Sequence, residues 1–212
     1  GYYPFNSNAN DFSGKGHNGS LVGSPTFSSG KVGNAIDFVN NNAANYVVVP
    51  HTNDFNFSNG ISDIPFSISM WVKFHSFNNS NRFFTKGVVS GTWSGFHFGY
   101  QNGNFYVSKL QNNNLGHYRF IKSNANPFTL NTWYHVAYTD DGILGGEKLY
   151  VNGLEIASKT TDSVGTYTTM GVNTVSATFA TPNWAVGHTQ NKHKGLIDEL
   201  AIWKNRELTA TE

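Results

Sequence analysis

The stretch NANDFSGKGHNGSL, residues 8–21, gathers oxygen donors and glycines around a single carboxylate. Asp11, Ser13 and Asn18 offer side-chain oxygens, and Gly14 and Gly16 offer backbone carbonyls that can turn inward because no Cβ stands in the way. Calcium takes roughly six to eight oxygens of these kinds. One acid is too few, so a second is needed. In LIDELAIW, residues 196–203, Asp198 shares a face with Leu196, Leu200 and Ile202, and strand parity therefore turns it inward. A buried carboxylate needs a cation or several hydrogen bonds. The expectation is a structural Ca2+ held by Asp11, Ser13, Gly14, Gly16, Asn18 and Asp198. In the competing reading these acids accept backbone N–H bonds and no metal is involved.

A second chemistry is sugar stacking. Trp93 lies in VVSGTWSGF between Gly91 and Gly95, with no apolar partner in its own segment. An exposed indole surrounded by amides and hydroxyls is a platform for the C–H face of a sugar. Tyr118, Arg119 and Asn113, on a neighbouring long loop, complete the expected ligand-binding set; the alternative has Trp93 anchoring its loop. Of the other tryptophans, Trp133 opens a strand and Trp203 ends one, both as packing residues. Trp71 stands opposite an apolar row, and Trp184 starts a late strand.

Composition supports a neutral polar ligand. Charged residues are 13% of the chain and the net charge is +1, whereas there are 28 Asn and 22 Gly, so solubility rests on amides and hydroxyls. No basic face suggests nucleic acid, and no apolar run reaches the roughly 18 residues that cross a bilayer. With no Cys, disulfides and thiolate metal sites are excluded. The chain opens at Gly1 without methionine or leader, which reads as a piece of a longer exported or surface protein with neighbouring domains.

The elements that would position these residues are strands. FSISMWVKF, 66–74, puts Phe66, Ile68, Met70, Val72 and Phe74 on one face and Ser67, Ser69, Trp71 and Lys73 on the other. GFHFGY, 95–100, and FYVSKL, 105–110, flank Asn102-Gly103, a hairpin signal, and Asn152-Gly153 divides KLYV from LEIAS in the same way. Further strands fall at YVVVP (46–50), RFFTK (82–86), WYHVAYT (133–139), WAVGH (184–188) and LIDELAIW, with a turn of helix in the tail beginning at Thr209. No boundary or internal repeat interrupts them. The expectation is one all-β domain over residues 1–212, a two-sheet antiparallel β-sandwich with Phe66, Ile68, Met70, Val72, Leu149 and Val151 buried.

Four stretches in order, YYPFNSNANDFSGKGHNGSL, FSISMWVKF, the pair TWYHVAYTDDG and KLYVNGLEIAS, and GLIDELAIWKNREL, resemble the laminin G-like, or concanavalin A-like, jelly-roll superfamily. The resemblance implies one concave sheet, binding loops along one rim, and first and last strands side by side, which would bring Asp198 near Asp11. It implies no single function, since this fold hosts lectins, adhesion modules, glucanases and lyases. Glucanases of this type carry Glu-x-Asp-x-x-Glu on one strand; here Leu196 stands where the first acid belongs. Lyases of this type need a Tyr or His base with Gln and Arg. Tyr118-Arg119 and His135 are candidates, but the Arg-rich patterns are missing and the chain has only Arg82, Arg119 and Arg206. His188 and His193 read as a chance pair rather than a zinc site. The reading is a non-catalytic carbohydrate-binding, lectin-like module that takes a polysaccharide or glycan. It belongs outside the cell, on the cell surface or on a virion. The alternative is an adhesion or receptor-binding module of a surface fibre or virion, and a polysaccharide-degrading enzyme comes last.

Overall fold

The computed structural model describes residues 1–38, 45–88, 93–113, 117–162, 167–181 and 192–212. In chain order its strands are β1 (Tyr2–Tyr3), β2 (Ser20–Val22), β3 (Thr26–Ser29), β4 (Asn34–Asp37), β5 (Tyr46–Val49), β6 (Phe66–Phe74), β7 (Ser80–Val88) and β8 (Trp93–Gln101), then β9 (Asn104–Asn113), β10 (Tyr118–Ser123), β11 (Trp133–Asp140), β12 (Lys148–Val151), β13 (Leu154–Glu155), β14 (Ser158–Asp162), β15 (Ala177–Phe179) and β16 (Gly195–Lys204). They form two antiparallel eight-stranded sheets. The first runs β13-β12-β11-β6-β16-β4-β3, with β1 also on β16; the second runs β14-β10-β9-β8-β7-β15-β5-β2.

Alternation of apolar and polar residues produces this packing. Phe66, Ile68, Met70, Val72 and Phe74 are all fully buried, and Leu149 and Val151 join them in the core, as parity predicts. From the facing sheet come Phe83, Phe84, Phe96, Phe98, Phe105, Val107 and Ile121. The ring contacts between the sheets are mostly edge-to-face, such as Phe66 on Phe96 at 5.1 Å and 85°, a geometry aromatic quadrupoles favour. Asn102 and Gly103 both have positive φ, as do Asn152 and Gly153, which gives the tight turns expected of Asn-Gly. After the second turn only Leu154 and Glu155 pair back, and the chain crosses to the edge of the other sheet as β14. Both ends of the described chain lie in one sheet: Gly1 and Ile202 exchange backbone hydrogen bonds of 2.9 and 3.1 Å. In the tail, the Glu212 amide donates to the Thr209 carbonyl and closes a turn. The expected WAVGH strand and Trp184 fall outside the described residues.

Candidate functional site

The meander β7–β8–β9–β10 buries one face and turns the other outward. Because Phe96, Phe98, Phe105, Val107 and Ile121 point into the core, their neighbours His97, Tyr106, Ser108, Tyr118 and Phe120 lie on the outer face. There a groove of about 210 Å³ is lined by Arg82, Trp93, His97, Gln101, Tyr106 and Phe120, among others. Trp93 opens β8, and the ladder to β9 shifts register between Trp93 and Gly95. Gly95, at φ +102, lies so close to β7 that a Cβ would sit 2.0 Å from the Lys86 carbonyl, so no other residue fits this crossing.

The shift sets the indole against its neighbours. Trp93 stacks on Tyr118, with centroids 5.9 Å apart and planes at 22°. Tyr118 stacks on Phe120 at 4.1 Å and 22°, and Phe120 meets Tyr106 edge-on at 5.9 Å. The three stacked rings are each half-buried. The result is a row of π-faces beside a polar floor: Ser108 Oγ lies 3.1 Å from His97 Nδ1. Burial, aided by the Arg82 charge, holds the His97 imidazole neutral, well below its ordinary range. Burial likewise pushes the Tyr106 phenol up.

Of the four residues expected to bind ligand, Trp93 and Tyr118 come together here. Asn113 is the cross-strand partner of Trp93, and its side chain lies outside the described residues. Arg119 is a correction. It follows Tyr118 directly on β10, so the pleat turns it to the other face. Its Nε sits 3.2 Å from Glu147 and 3.5 Å from Asp162. The groove residues missed from the sequence were Arg82, His97, Tyr106 and Phe120. Arg82, His97 and Tyr106 stand on the polar beat of RFFTK, GFHFGY and FYVSKL, whereas Phe120 carries no such signal because in YRF the polar residue, Arg119, takes the inner face.

The opening loop is folded around its own acid. Asp11 Oδ1 accepts from the amides of Tyr2 and Ser13, each at 2.9 Å, and Oδ2 accepts from the His17 amide at 3.0 Å. Asn18 Oδ1 accepts from the Asp11 amide at 2.9 Å. Both lone pairs of Oδ1 and one on Oδ2 are thus spent on N–H donors, which leaves little for a cation that wants six or more oxygens. Asp198 is not the expected companion. A bulge lies between Asp198 and Ala201, where Glu199 has φ +51. Ahead of the bulge it is Ile197 that enters the core, so parity inverts and Asp198 faces outward opposite Trp71. It is buried nonetheless, because the turn between β3 and β4 folds over it: Oδ2 accepts from the Lys31 and Val32 amides at 2.7 and 2.9 Å. The first and last strands do pair, Tyr2 with Ala201, but the two acids serve different loops. Among the described residues no three His, Asp or Glu side chains cluster as metal ligands, and the hydrogen bonds of Asp11 and Asp198 run to different loops.

The loop then has a testable acid response. Burial opposes ionisation of Asp11, but the Ser13 side chain and the Tyr2, Ser13 and His17 amides outweigh it and lower the carboxyl to about 2 from its ordinary 3.8. A depressed acid stabilises the fold above its unfolded value, and that contribution is lost as pH falls through the folded one. Asp11→Asn should therefore flatten the fall in stability between about pH 4 and pH 2. The partly exposed carboxylate is worth about 1 kcal/mol at neutral pH after solvent screening. Melting curves in calcium and in chelator should superimpose. A calcium-dependent rise lost in both Asp11→Ala and Asp198→Ala would reinstate the ion.

The opposite face of the sandwich carries a larger depression of about 620 Å³, with Trp71, His135, Glu199 and Trp203 among its walls. Trp71 and His135 meet edge-on at 5.3 Å, and the Lys31 ammonium sits 4.5 Å over the Trp71 ring. Tyr118 and His135, considered together as candidate bases, thus stand on different sheets. His193 is a core residue wedged between Phe74 and Phe83, both at 5.2 Å, and burial lowers its pKa to about 3. His188 lies outside the described residues.

The family model described as the concanavalin A-like lectin/glucanases superfamily matches residues 41–212. The chain belongs to that superfamily. No curated protein matches it in sequence. Solved structures with the superfamily's sandwich resemble it at low identity. Domain 4 of AbnA, a GH43 extracellular arabinanase from Geobacillus stearothermophilus solved with arabinotriose, is 21% identical with a TM-score of 0.68, over 99% of this chain and 93% of that one. The binding domain of Paraclostridial Mosquitocidal Protein 1 is 20% identical with a TM-score of 0.66, over 95% of this chain and 47% of that one. The botulinum neurotoxin serotype C1 binding domain is 17% identical with a TM-score of 0.69, over 99% of this chain and 49% of that one. The chain therefore spans about half the length of the toxin domains. At these identities the likeness establishes the fold.

Proposed function

We propose that this chain is a non-catalytic carbohydrate-binding module of an exported or cell-surface protein, and that it takes a glycan in the groove of the second sheet. The observation that carries this reading is the row Trp93–Tyr118–Phe120, three half-buried rings aligned beside hydroxyl, amide and imidazole groups. Stacked rings offer a sugar its apolar contact, and the half-buried Gln101 amide beside them meets its hydroxyls. Superfamily membership and the arabinotriose complex of the similar arabinanase domain support the same class of ligand. No Asp or Glu occurs between Asp63 and Asp140, so the strands of the meander supply no carboxylate pair for glycoside hydrolysis.

One observation favours a second reading, elimination on an acidic sugar: the groove gathers Arg82, His97, Gln101 and Tyr106, the residue types such a reaction uses. Against it, His97 and Tyr106 are 2% and 1% exposed, and a base so enclosed does not reach a sugar proton. Calorimetry against a panel of arabinan, xylan, glucan and pectic oligosaccharides tests the proposal. The expected result is saturable binding with no change in the carbohydrate. Appearance of an unsaturated product by ultraviolet absorbance would establish the lyase. Binding to no glycan would leave the adhesion reading, with a protein partner.

A further inference from the structure

Among the described residues, Arg82 is a buried cation without an anion. It is 5% exposed, it lines the groove, and its Nε and Nη1 have no hydrogen-bond acceptor among those residues. The Tyr106 ring lies 4.6 Å from its guanidinium carbon. Tyr106 also hydrogen-bonds the guanidinium, yet Nε and Nη1 stay unspent. Lys192 forms a parallel bridge with Arg82 and is 7% exposed, and its Nζ likewise has no partner among the described residues. Residues facing each other across a bridge project to the same side, so the backbone places a second basic residue beside Arg82.

Three other buried cations have acceptors: Lys109 and Arg119 meet acids at 2.8 Å and 3.2 Å, and the Lys86 ammonium donates to the Asn173 carbonyl and Oδ1 at 3.1 and 2.8 Å. The stretch from Ile64 to Thr139, which holds every strand from β6 to β10, contains no Asp or Glu at all, so those strands cannot neutralise Arg82. An arginine cannot discharge itself by losing its proton, and an unpaired buried charge is costly. A site that accepts this cost is one whose counter-charge arrives with the ligand.

Resting on the carbohydrate-binding reading, we infer that the groove selects an anionic oligosaccharide, whose carboxylate or sulfate is held by Arg82 while its ring stacks on the aromatic row. Oxyanions of either kind match the in-plane donors of a guanidinium. The oligosaccharide's own chemistry separates the two sources.

The test compares the whole chain binding a neutral oligosaccharide, an oligogalacturonide and a sulfated oligosaccharide of equal length, at low salt and at physiological salt. The expected result is at least tenfold tighter binding of one acidic probe than of the neutral one, with the advantage shrinking as salt rises. Carboxylated over sulfated, or the reverse, identifies the anion. Arg82→Gln should bring the acid-to-neutral ratio to about one, and Arg82→Lys should leave an intermediate ratio because it keeps the charge and loses the fork. If Arg82→Gln fails to fold, Arg82→Lys and the wild-type ratio decide. Equal affinity for acidic and neutral probes would overturn this inference and leave the carbohydrate-binding reading standing. Binding to none of the three would remove both.

Discussion

Replacing Lys109 by methionine should destabilise the fold by about 3–5 kcal/mol, the usual cost of breaking a buried ion pair from one side. Lys109 shares its alternation with Phe105 and Val107 and so points inward at the end of the core. Its ammonium is fully buried and lies 2.8 Å from Asp63, 2.8 Å from Asp140 and 3.1 Å from Glu147. The acids have further anchors: Tyr138 and Tyr167 donate to Asp140 and Asp63 at 2.8 and 2.7 Å, and the Met170 amide donates to Asp63 at 2.7 Å. The cluster thus ties β9, β11 and the segments around residues 63, 147 and 167 to one cation. Methionine would leave three carboxylates facing each other out of water. Domains of this size hold about 5–15 kcal/mol in all, so the midpoint of denaturant unfolding should fall by roughly a fifth or more of its value.

The pH dependence of that loss has a definite sign. Burial alone would depress Lys109, but Asp140, Asp63 and Glu147 outweigh it and raise the ammonium above its ordinary 10.5. A raised base stabilises the fold below its unfolded value, and the contribution is lost only as pH climbs above it. At neutral pH the wild-type contribution is therefore complete. In the variant, burial already pushes Asp140 up, and without the ammonium that carboxyl takes a proton more readily. The deficit should be largest near neutrality and shrink on acidification. Lys109→Met combined with Asp140→Asn should recover part of it, because the two sites share one network. A loss under 1 kcal/mol by denaturant titration would show that the cluster is solvated in solution.

Trp93→Ala should weaken glycan binding by about thirtyfold, or roughly 2 kcal/mol, the scale of an aromatic hot spot. The ring is half-buried, lies outside the core cluster and sits at a strand end, so the melting temperature should move by only a few degrees. Tyr118→Ala should lose a similar amount of affinity. The double variant should lose less than the sum, because Tyr118 is stacked between Trp93 and Phe120 and supports the indole. Trp93→Phe should retain most of the binding. A large fall in stability with unchanged affinity would make Trp93 a packing residue and move the glycan site elsewhere, for which the Trp71–Trp203 depression is the next surface to mutate.

Part of this architecture is legible in local pattern alone. FSISMWVKF alternates so regularly that its buried face follows from the pleat, and Asn-Gly in two places requires positive φ whatever surrounds it. Both depend on neighbours along the chain. The isolation of Trp93 between glycines belongs to the same kind of information, and it pointed to the groove. What depended on distant residues was different. Unbroken parity turns Asp198 inward, and one extra residue in β16 between Asp198 and Ala201 reverses it. Tyr118 and Arg119 are adjacent in sequence, but adjacency on a strand separates side chains by the thickness of the sheet. By type Asp11 suits a metal; that three amides donate to its oxygens is decided by the fold alone. The absence of acids from Ile64 to Thr139 is written in the sequence. Only the pairing of β7 with β8 and of β8 with β9 placed Arg82, Trp93 and Tyr106 around one groove, since charge is a property of residues and its compensation is a property of their arrangement in space.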